Sequence, residues 1–142
     1  MILDKLARFS DAQTTTASTA STDVVDTVAA GDSYEGAWFV ALIDTTFTGT
    51  STASNQFQLQ TSASETFVGG AATLCQSAAY LIATLTAGKM YACRIPAGAR
   101  RYLRGYKVLG GSGVMSTGAY DMFIVKDIDM ESINRRYMLA AA

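Results

Sequence analysis

The side chains that carry out most chemistry in proteins are scarce in this sequence. The 142 residues include no histidine, which removes the usual general base and the commonest metal ligand. The two cysteines, Cys75 and Cys93, lack the CxxC spacing of metal and redox sites. They could form one disulfide, but we expect two reduced thiols that pack as small apolar side chains. We therefore expect no enzyme activity, no cofactor, no metal ion and no small-molecule substrate.

The best acidic cluster lies in the segment DIDMES, residues 127–132. Alternation along an extended chain would place Asp127, Asp129 and Glu131 on one side, where they could bind a cation weakly. A solvated acidic turn is the more ordinary interpretation and the one that we favour.

The most charged and aromatic stretch is RRYLRGYKVLGG, residues 100–111. On a strand, one face would consist of Arg100, Tyr102, Arg104, Tyr106 and Val108, and the opposite face, with Lys107, would be half-solvated. We favour a structural strand whose basic side chains lie along it, with Arg104 between tyrosine rings. A protein-binding surface is the second interpretation. Nucleic-acid binding is the third, because a net charge of −1 supplies no positive field.

The elements that would position these residues are short strands. Residues 37–44, AWFVALID, form a continuous apolar run, and residues 55–62, NQFQLQTS, alternate between apolar residues and glutamine. Turn signals separate seven to nine such segments, and no long amphipathic helix competes with them. The sequence predicts an all-β protein with a single jelly-roll or β-sandwich domain at residues 23–127, an extended N-terminal arm at 1–22 and a C-terminal tail at 128–142.

The two ends of the chain carry candidate contact residues. Four apolar residues of the arm need a surface to lie on, either the chain's own core or a neighbouring subunit: Ile2, Leu3, Leu6 and Phe9. The tail holds a second basic and aromatic cluster, made of Arg135, Arg136 and Tyr137. The start of the chain is not typical of a signal peptide, and no apolar run reaches the length of a membrane span, so we expect a soluble protein.

Three segments together resemble one family: MILDKLARFSDAQ at the start, NQFQLQTSASETF in the middle and RIPAGARRYLRGYKV late. The chain resembles the Bbp16-type capsid cement proteins of tailed bacteriophages, up to about Val125. The resemblance implies a jelly-roll protein that binds the outer surface of an HK97-fold capsid and bridges neighbouring major capsid proteins. It also implies a homodimer or homotrimer, located on the virion after synthesis in the host bacterial cytoplasm, with no catalytic residues or cofactor.

We therefore expect a structural virion protein that stabilises the expanded shell and binds neither nucleic acid nor membrane. The seven apolar, basic and aromatic residues of the arm and the tail are the candidate contacts with the capsid or another subunit. The alternative is a carbohydrate-binding β-sandwich on the virion surface or tail. That function needs exposed aromatic rings, for which Trp38 and Tyr34 are poor candidates, since Trp38 lies inside an apolar run.

Overall fold

A computed structural model describes residues 7–14, 16–28, 34–126 and 138–139. Sheet I contains the strands β1 (Arg8–Gln13), β4 (Trp38–Gly49), β8 (Met90–Arg94), β10 (Met115–Val125) and β11 (Met138–Leu139). Sheet II contains β2 (Thr19–Ala20), β3 (Val25–Asp26), β5 (Ala53–Ser62), β6 (Ala72–Gln76), β7 (Tyr80–Leu81) and β9 (Tyr102–Gly111). One turn of 3-10 helix, Ile82–Thr84, follows β7.

The order of the strands is that of a jelly roll. Sheet I has the order β1-β10-β4-β8-β11, and sheet II has the order β2-β9-β5-β6, with β3 beside β9 and β7 beside β5. The pairs β1–β10, β2–β9, β4–β8 and β5–β6 are all antiparallel, as in one long hairpin wound into two sheets. The predicted all-β jelly-roll sandwich is confirmed.

The alternation of side chains decides which residues enter the core. On β5, Phe57 and Leu59 are buried, whereas Gln56, Gln58 and Gln60, which alternate with them, are half-buried on the opposite side, as the sequence predicts. The inner faces of both sheets supply aromatic rings: Phe57 stacks on Tyr91 and contacts Tyr120 at a centroid distance of 5.7 Å. Non-directional burial of these rings holds the two sheets together.

The sheets approach closely at Gly105, in the middle of β9. A Cβ atom at this position would lie 2.8 Å from the Cε and Sδ atoms of Met122, which is on β10 in sheet I. A side chain at this position would therefore require the end of the Met122 side chain to move.

A second, smaller apolar cluster lies on the outer face of sheet I. Its buried members come from β4, β8 and β10: Val40, Met90, Ala92, Phe123 and Val125. Trp38 packs against this cluster, and the Arg94 guanidinium lies 5.9 Å from the Trp38 ring centroid. The structure therefore gives Trp38 a packing role.

The predicted face of β9 opposite Tyr102 and Tyr106 needs a correction. This face was expected to be half-solvated, but Leu103 and Lys107 are both 0% exposed and point into the sandwich. The alternation of side chains on β9 predicts a half-buried strand whichever of its two faces is buried. The charge of Lys107 suggested solvent, but its long aliphatic stem lets it lie among core side chains.

The described parts of the arm and the tail belong to the sheets. β1 and β2 fall within the predicted arm, residues 1–22, and β11 falls within the predicted tail, residues 128–142. β1 pairs with β10, and β11 pairs in parallel with β8. Within the described residues, none of the helical segments has the length and hydrophobicity that crossing a bilayer requires.

Candidate interaction surface

The outward side chains of β5 and β9 form a polar and aromatic surface, which we call the outer face of sheet II. Its six central residues are Gln56, Gln58, Gln60, Tyr102, Arg104 and Tyr106, all half-buried. The register of the two strands places Gln58 opposite Tyr106 and Gln60 opposite Arg104. Residues directly opposite on one face of a sheet are close enough for their side chains to interact.

A chain of hydrogen bonds crosses this face. The Nε atom of Arg104 donates to the side-chain oxygen of Gln60 at 2.9 Å. The Gln60 amide donates to Gln58, and the Gln58 amide donates to Gln76 on β6, each at 3.1 Å. The chain links three strands and restrains four long side chains, so a partner that binds here would meet side chains that are already partly ordered.

Aromatic rings hold the Arg104 guanidinium in place. The Cζ atom of Arg104 lies 4.2 Å from the ring centroid of Phe67 and 5.3 Å from that of Tyr106. The predicted contact with Tyr106 is confirmed, but the second ring is Phe67 and not Tyr102. Tyr102 instead lies 5.1 Å from the Arg101 guanidinium. Burial lowers the pKa of Arg104 from its usual value, which leaves the guanidinium charged at neutral pH.

Phe67 has an uncommon backbone conformation. Its φ of 57° lies in the left-handed region, which a bulky residue seldom adopts. A backbone hydrogen bond from Phe67 to Ser64 and the burial of the ring beneath Arg104 accompany this conformation. The next residue, Val68, is 76% exposed. The loop therefore places a buried ring and an exposed apolar side chain beside the outer face.

An ion pair links β3 to β9 at the edge of this surface. Arg101 donates from Nε and from a terminal nitrogen to the two carboxylate oxygens of Asp26, at 2.8 and 3.0 Å. The Arg101 guanidinium and a backbone hydrogen bond from Val28 lower the pKa of Asp26. Both side chains are more than 40% exposed, so the pair orients the edge and adds little stability.

Lys107 is a buried cation directly beneath this surface. Its Nζ atom lies 3.2 Å from the Met115 sulfur and about equally near the rings of Tyr120 and Phe47, at 5.7 and 6.0 Å. Burial lowers its pKa to about 8. The sequence did not predict that Lys107 is buried, because alternation alone does not tell which face of β9 points into the core.

The structure separates the predicted contact residues into two groups. Phe9 is 0% exposed and packs edge-on against Phe39 at a centroid distance of 6.1 Å, so its surface is the chain's own core. The other six residues lie outside the described residues: Ile2, Leu3, Leu6, Arg135, Arg136 and Tyr137. Asp127, Asp129 and Glu131 also lie outside them. Among the described residues, no three His, Cys, Asp or Glu side chains are grouped as a metal site would require.

A known family model matches most of the chain. The Bbp16 family model matches residues 9–124, which run from β1 to β10. The chain belongs to the Bbp16 family. No curated protein matches it.

The Bbp16 match defines which surfaces belong to the shared part of the family. It includes every residue of the outer face of sheet II, together with Phe67 and Lys107. It does not include the six predicted contact residues near the two ends of the chain. The match covers the outer faces of both sheets, and the outer face of sheet II is the candidate surface because it presents half-buried tyrosine, arginine and glutamine.

Proposed function

We propose that this Bbp16-family chain is a structural protein of a tailed-bacteriophage virion, and specifically a capsid cement protein. In this proposal it binds the outer surface of an HK97-fold shell, bridges neighbouring major capsid proteins and has no catalytic activity. The observation that carries the proposal is the family match over the whole described jelly roll from Phe9 to Ile124. Low charge also suits a protein that buries much of its surface: only 16% of the residues are charged.

We propose that the outer face of sheet II contacts the shell. Tyrosine and arginine contribute strongly to protein interfaces, and this face presents Tyr102, Tyr106 and Arg104 beside neutral glutamines. The hydrogen bonds and ring contacts of Arg104 hold it in place before binding. Less conformational entropy is then lost when a partner binds. The outer face of sheet I is less suited to this role, because its apolar cluster is already buried.

Weak individual contacts are sufficient for a cement protein. A homodimer or homotrimer that bridges several subunits binds through several sites at once, which raises its apparent affinity above that of any one contact. A protein that binds the expanded lattice better than the unexpanded one stabilises the expanded lattice by mass action. The proposed mechanism requires only complementary surfaces and repeated copies.

Co-sedimentation with capsids tests the surface. We would mix the purified chain with expanded capsids from which it has been removed and measure the bound fraction for wild type, Arg104→Ala and Tyr106→Ala. We expect each substitution to weaken binding at least about tenfold, as for residues central to an interface. Lys126→Ala is the matched control, because it removes an exposed cation at the end of sheet I. If Arg104→Ala and Tyr106→Ala both bind like wild type, the outer face is not the contact surface.

The same face supports a second candidate function, which is carbohydrate binding. The half-buried Tyr102 and Tyr106 could stack on sugar rings, and the side-chain amides of Gln58 and Gln60 could donate to sugar hydroxyls. A glycan array with wild type and Tyr106→Ala separates the two functions. Binding of a glycan that Tyr106→Ala abolishes, together with no binding to capsids, would favour this alternative over the cement function.

A further inference from the structure

The two cysteines meet in the interior of the sandwich. Cys75 lies on β6 in sheet II, opposite the buried Leu59, and Cys93 lies on β8 in sheet I, opposite the buried Phe39. Both side chains point inward, and the Cys93 thiol donates a hydrogen bond to the Cys75 sulfur at 3.3 Å. Residues 18 positions apart, on different sheets, thus place their sulfur atoms in contact.

We propose that Cys75 and Cys93 are a reversible redox pair that forms a disulfide between the two sheets under oxidising conditions. The sulfur atoms need to approach by only about 1.2 Å to reach the length of a disulfide bond, roughly 2.05 Å. β6 has no further strand beyond it in the described part of sheet II, so it can make a small adjustment without disturbing another pairing. The bond would tie this edge strand to sheet I.

The two thiols have unequal access to solvent, which assigns them different roles. Cys75 is half-buried and lines an open surface pocket with Gln76, Arg94 and Pro96, whereas Cys93 is 2% exposed. A low-molecular-weight disulfide can therefore reach Cys75 first. The Cys75 thiolate attacks one sulfur of that oxidant, forms a mixed disulfide and releases one small thiol.

Cys93 then completes the exchange. Its thiolate attacks the Cys75 sulfur, forms the Cys75–Cys93 bond and releases the second small thiol. In total, two protein thiols and one small disulfide become one protein disulfide and two small thiols, with two electrons passing to the oxidant. A reducing thiol pool runs the same steps backwards.

The surroundings of the pair make the exchange slow at neutral pH. The adjacent Cys93 sulfur and burial raise the pKa of the Cys75 thiol above its usual range. The thiolate is the attacking species, so oxidation should accelerate as the pH rises. The pair stays reduced in a reducing cytoplasm. If the proposed function holds, the bond forms after the virion reaches an oxidising medium.

The test uses the purified full-length chain in defined mixtures of reduced and oxidised glutathione. After equilibration, the chain is denatured and its free thiols are alkylated. Its mass is then measured by mass spectrometry. We expect a monomer that has lost two hydrogen atoms and takes up no alkylating agent in the oxidised mixture, and two alkyl groups in the reduced one. The oxidised form should unfold about 5–10 °C higher, because the bond closes a loop of roughly 20 residues.

Two variants identify the order of attack. Cys93→Ala should retain glutathione on Cys75, whereas Cys75→Ala should remain largely unmodified, and neither should show the rise in melting temperature. Two free thiols in the oxidised wild type, or a disulfide only between molecules, would overturn the proposal. The measurement on wild type does not depend on whether the variants fold. It is also independent of capsid binding, so a negative result would not contradict the proposed function.

Discussion

Arg104 connects the packing of the outer face to its proposed binding role. Its guanidinium lies against two rings and donates to Gln60, so Arg104→Ala removes a cation–π contact and a hydrogen bond together. We expect a loss of about 1–2 kcal/mol in the free energy of unfolding. Arg104→Lys should recover only part of it, because an ammonium group lacks the planar shape that stacks on rings.

Urea unfolding of the two Arg104 variants measures these losses, with Arg100→Ala as the matched control. Arg100 is exposed, so its substitution should change stability by less than about 0.5 kcal/mol. If Arg104→Lys were as stable as wild type, charge alone and not ring stacking would explain the position of the side chain.

Lys107 should make stability depend on pH. Burial lowers its folded-state pKa to about 8, below the usual value of 10.5, so the unfolded chain binds more protons between these pH values. Stability from this residue therefore rises as the pH increases from about 8 towards 10.5. Lys107→Met keeps the apolar stem and loses the titration.

The measurement for Lys107 is the difference in free energy of unfolding between wild type and Lys107→Met. Other groups oppose the trend, because the raised pKa values of Cys75 and Tyr91 reduce stability above their unfolded-state pKa values. Their effect is common to both proteins and cancels in the difference. We expect wild type to gain about 1–2 kcal/mol relative to the variant between pH 7.5 and 10. A constant difference would show that Lys107 titrates normally.

At the scale of elements, the close approach of β9 and β10 can be tested at Gly105. Gly105→Ala would place a methyl group 2.8 Å from the flexible end of the Met122 side chain, which must shift within the core, so we expect a cost of about 1 kcal/mol. In a double-mutant cycle with Met122→Ala, the combined loss should be smaller than the sum of the single losses, because the methyl group then occupies freed space. Additive losses would mean that the two residues do not compete for this volume.

The N-terminal strand has a structural role that limits how the arm can be truncated. Removal of residues 1–10 takes away Phe9 from the core and half of β1, and we expect it to cost at least about 3–5 kcal/mol. Removal of residues 1–6 leaves β1 intact. Loss of capsid binding by this shorter truncation, at an unchanged urea midpoint, would show that Ile2, Leu3 or Leu6 contacts the shell. If the longer truncation were equally stable, the assignment of Phe9 to the core would be wrong.

The sequence predicts the elements of this fold better than it predicts the site. Alternation on β5 identifies its buried face because the apolar Phe57 and Leu59 alternate with glutamines, although the polar Asn55 and Thr61 on the same face are also buried. The same argument is ambiguous on β9, where Lys107 is buried although lysine usually indicates solvent. The path from Arg104 through the glutamines depends on the register between strands, and the position of Phe67 depends on a left-handed backbone. Neither property follows from the composition of a single segment.

At the scale of the whole molecule, the two sheets differ in what they present to the outside. Sheet I buries an apolar cluster on its outer side, whereas sheet II presents half-buried tyrosine, arginine and glutamine. This asymmetry predicts the orientation of the bound protein. In hydroxyl-radical footprinting, binding to capsids should protect Tyr102 and Tyr106 and leave the Trp38 signal unchanged. Protection of Trp38 without the tyrosines would reverse the orientation.

The most direct test of the cement function is the stoichiometry of capsid binding. We would titrate expanded capsids lacking the protein with the purified wild-type chain and count bound copies per major capsid protein. The proposal predicts saturation at a simple fixed ratio, with loaded capsids surviving more heat than bare ones, because bound copies bridge the junctions between subunits. A folded chain that does not bind, or that binds without saturation and without protecting the shell from heat, would contradict it.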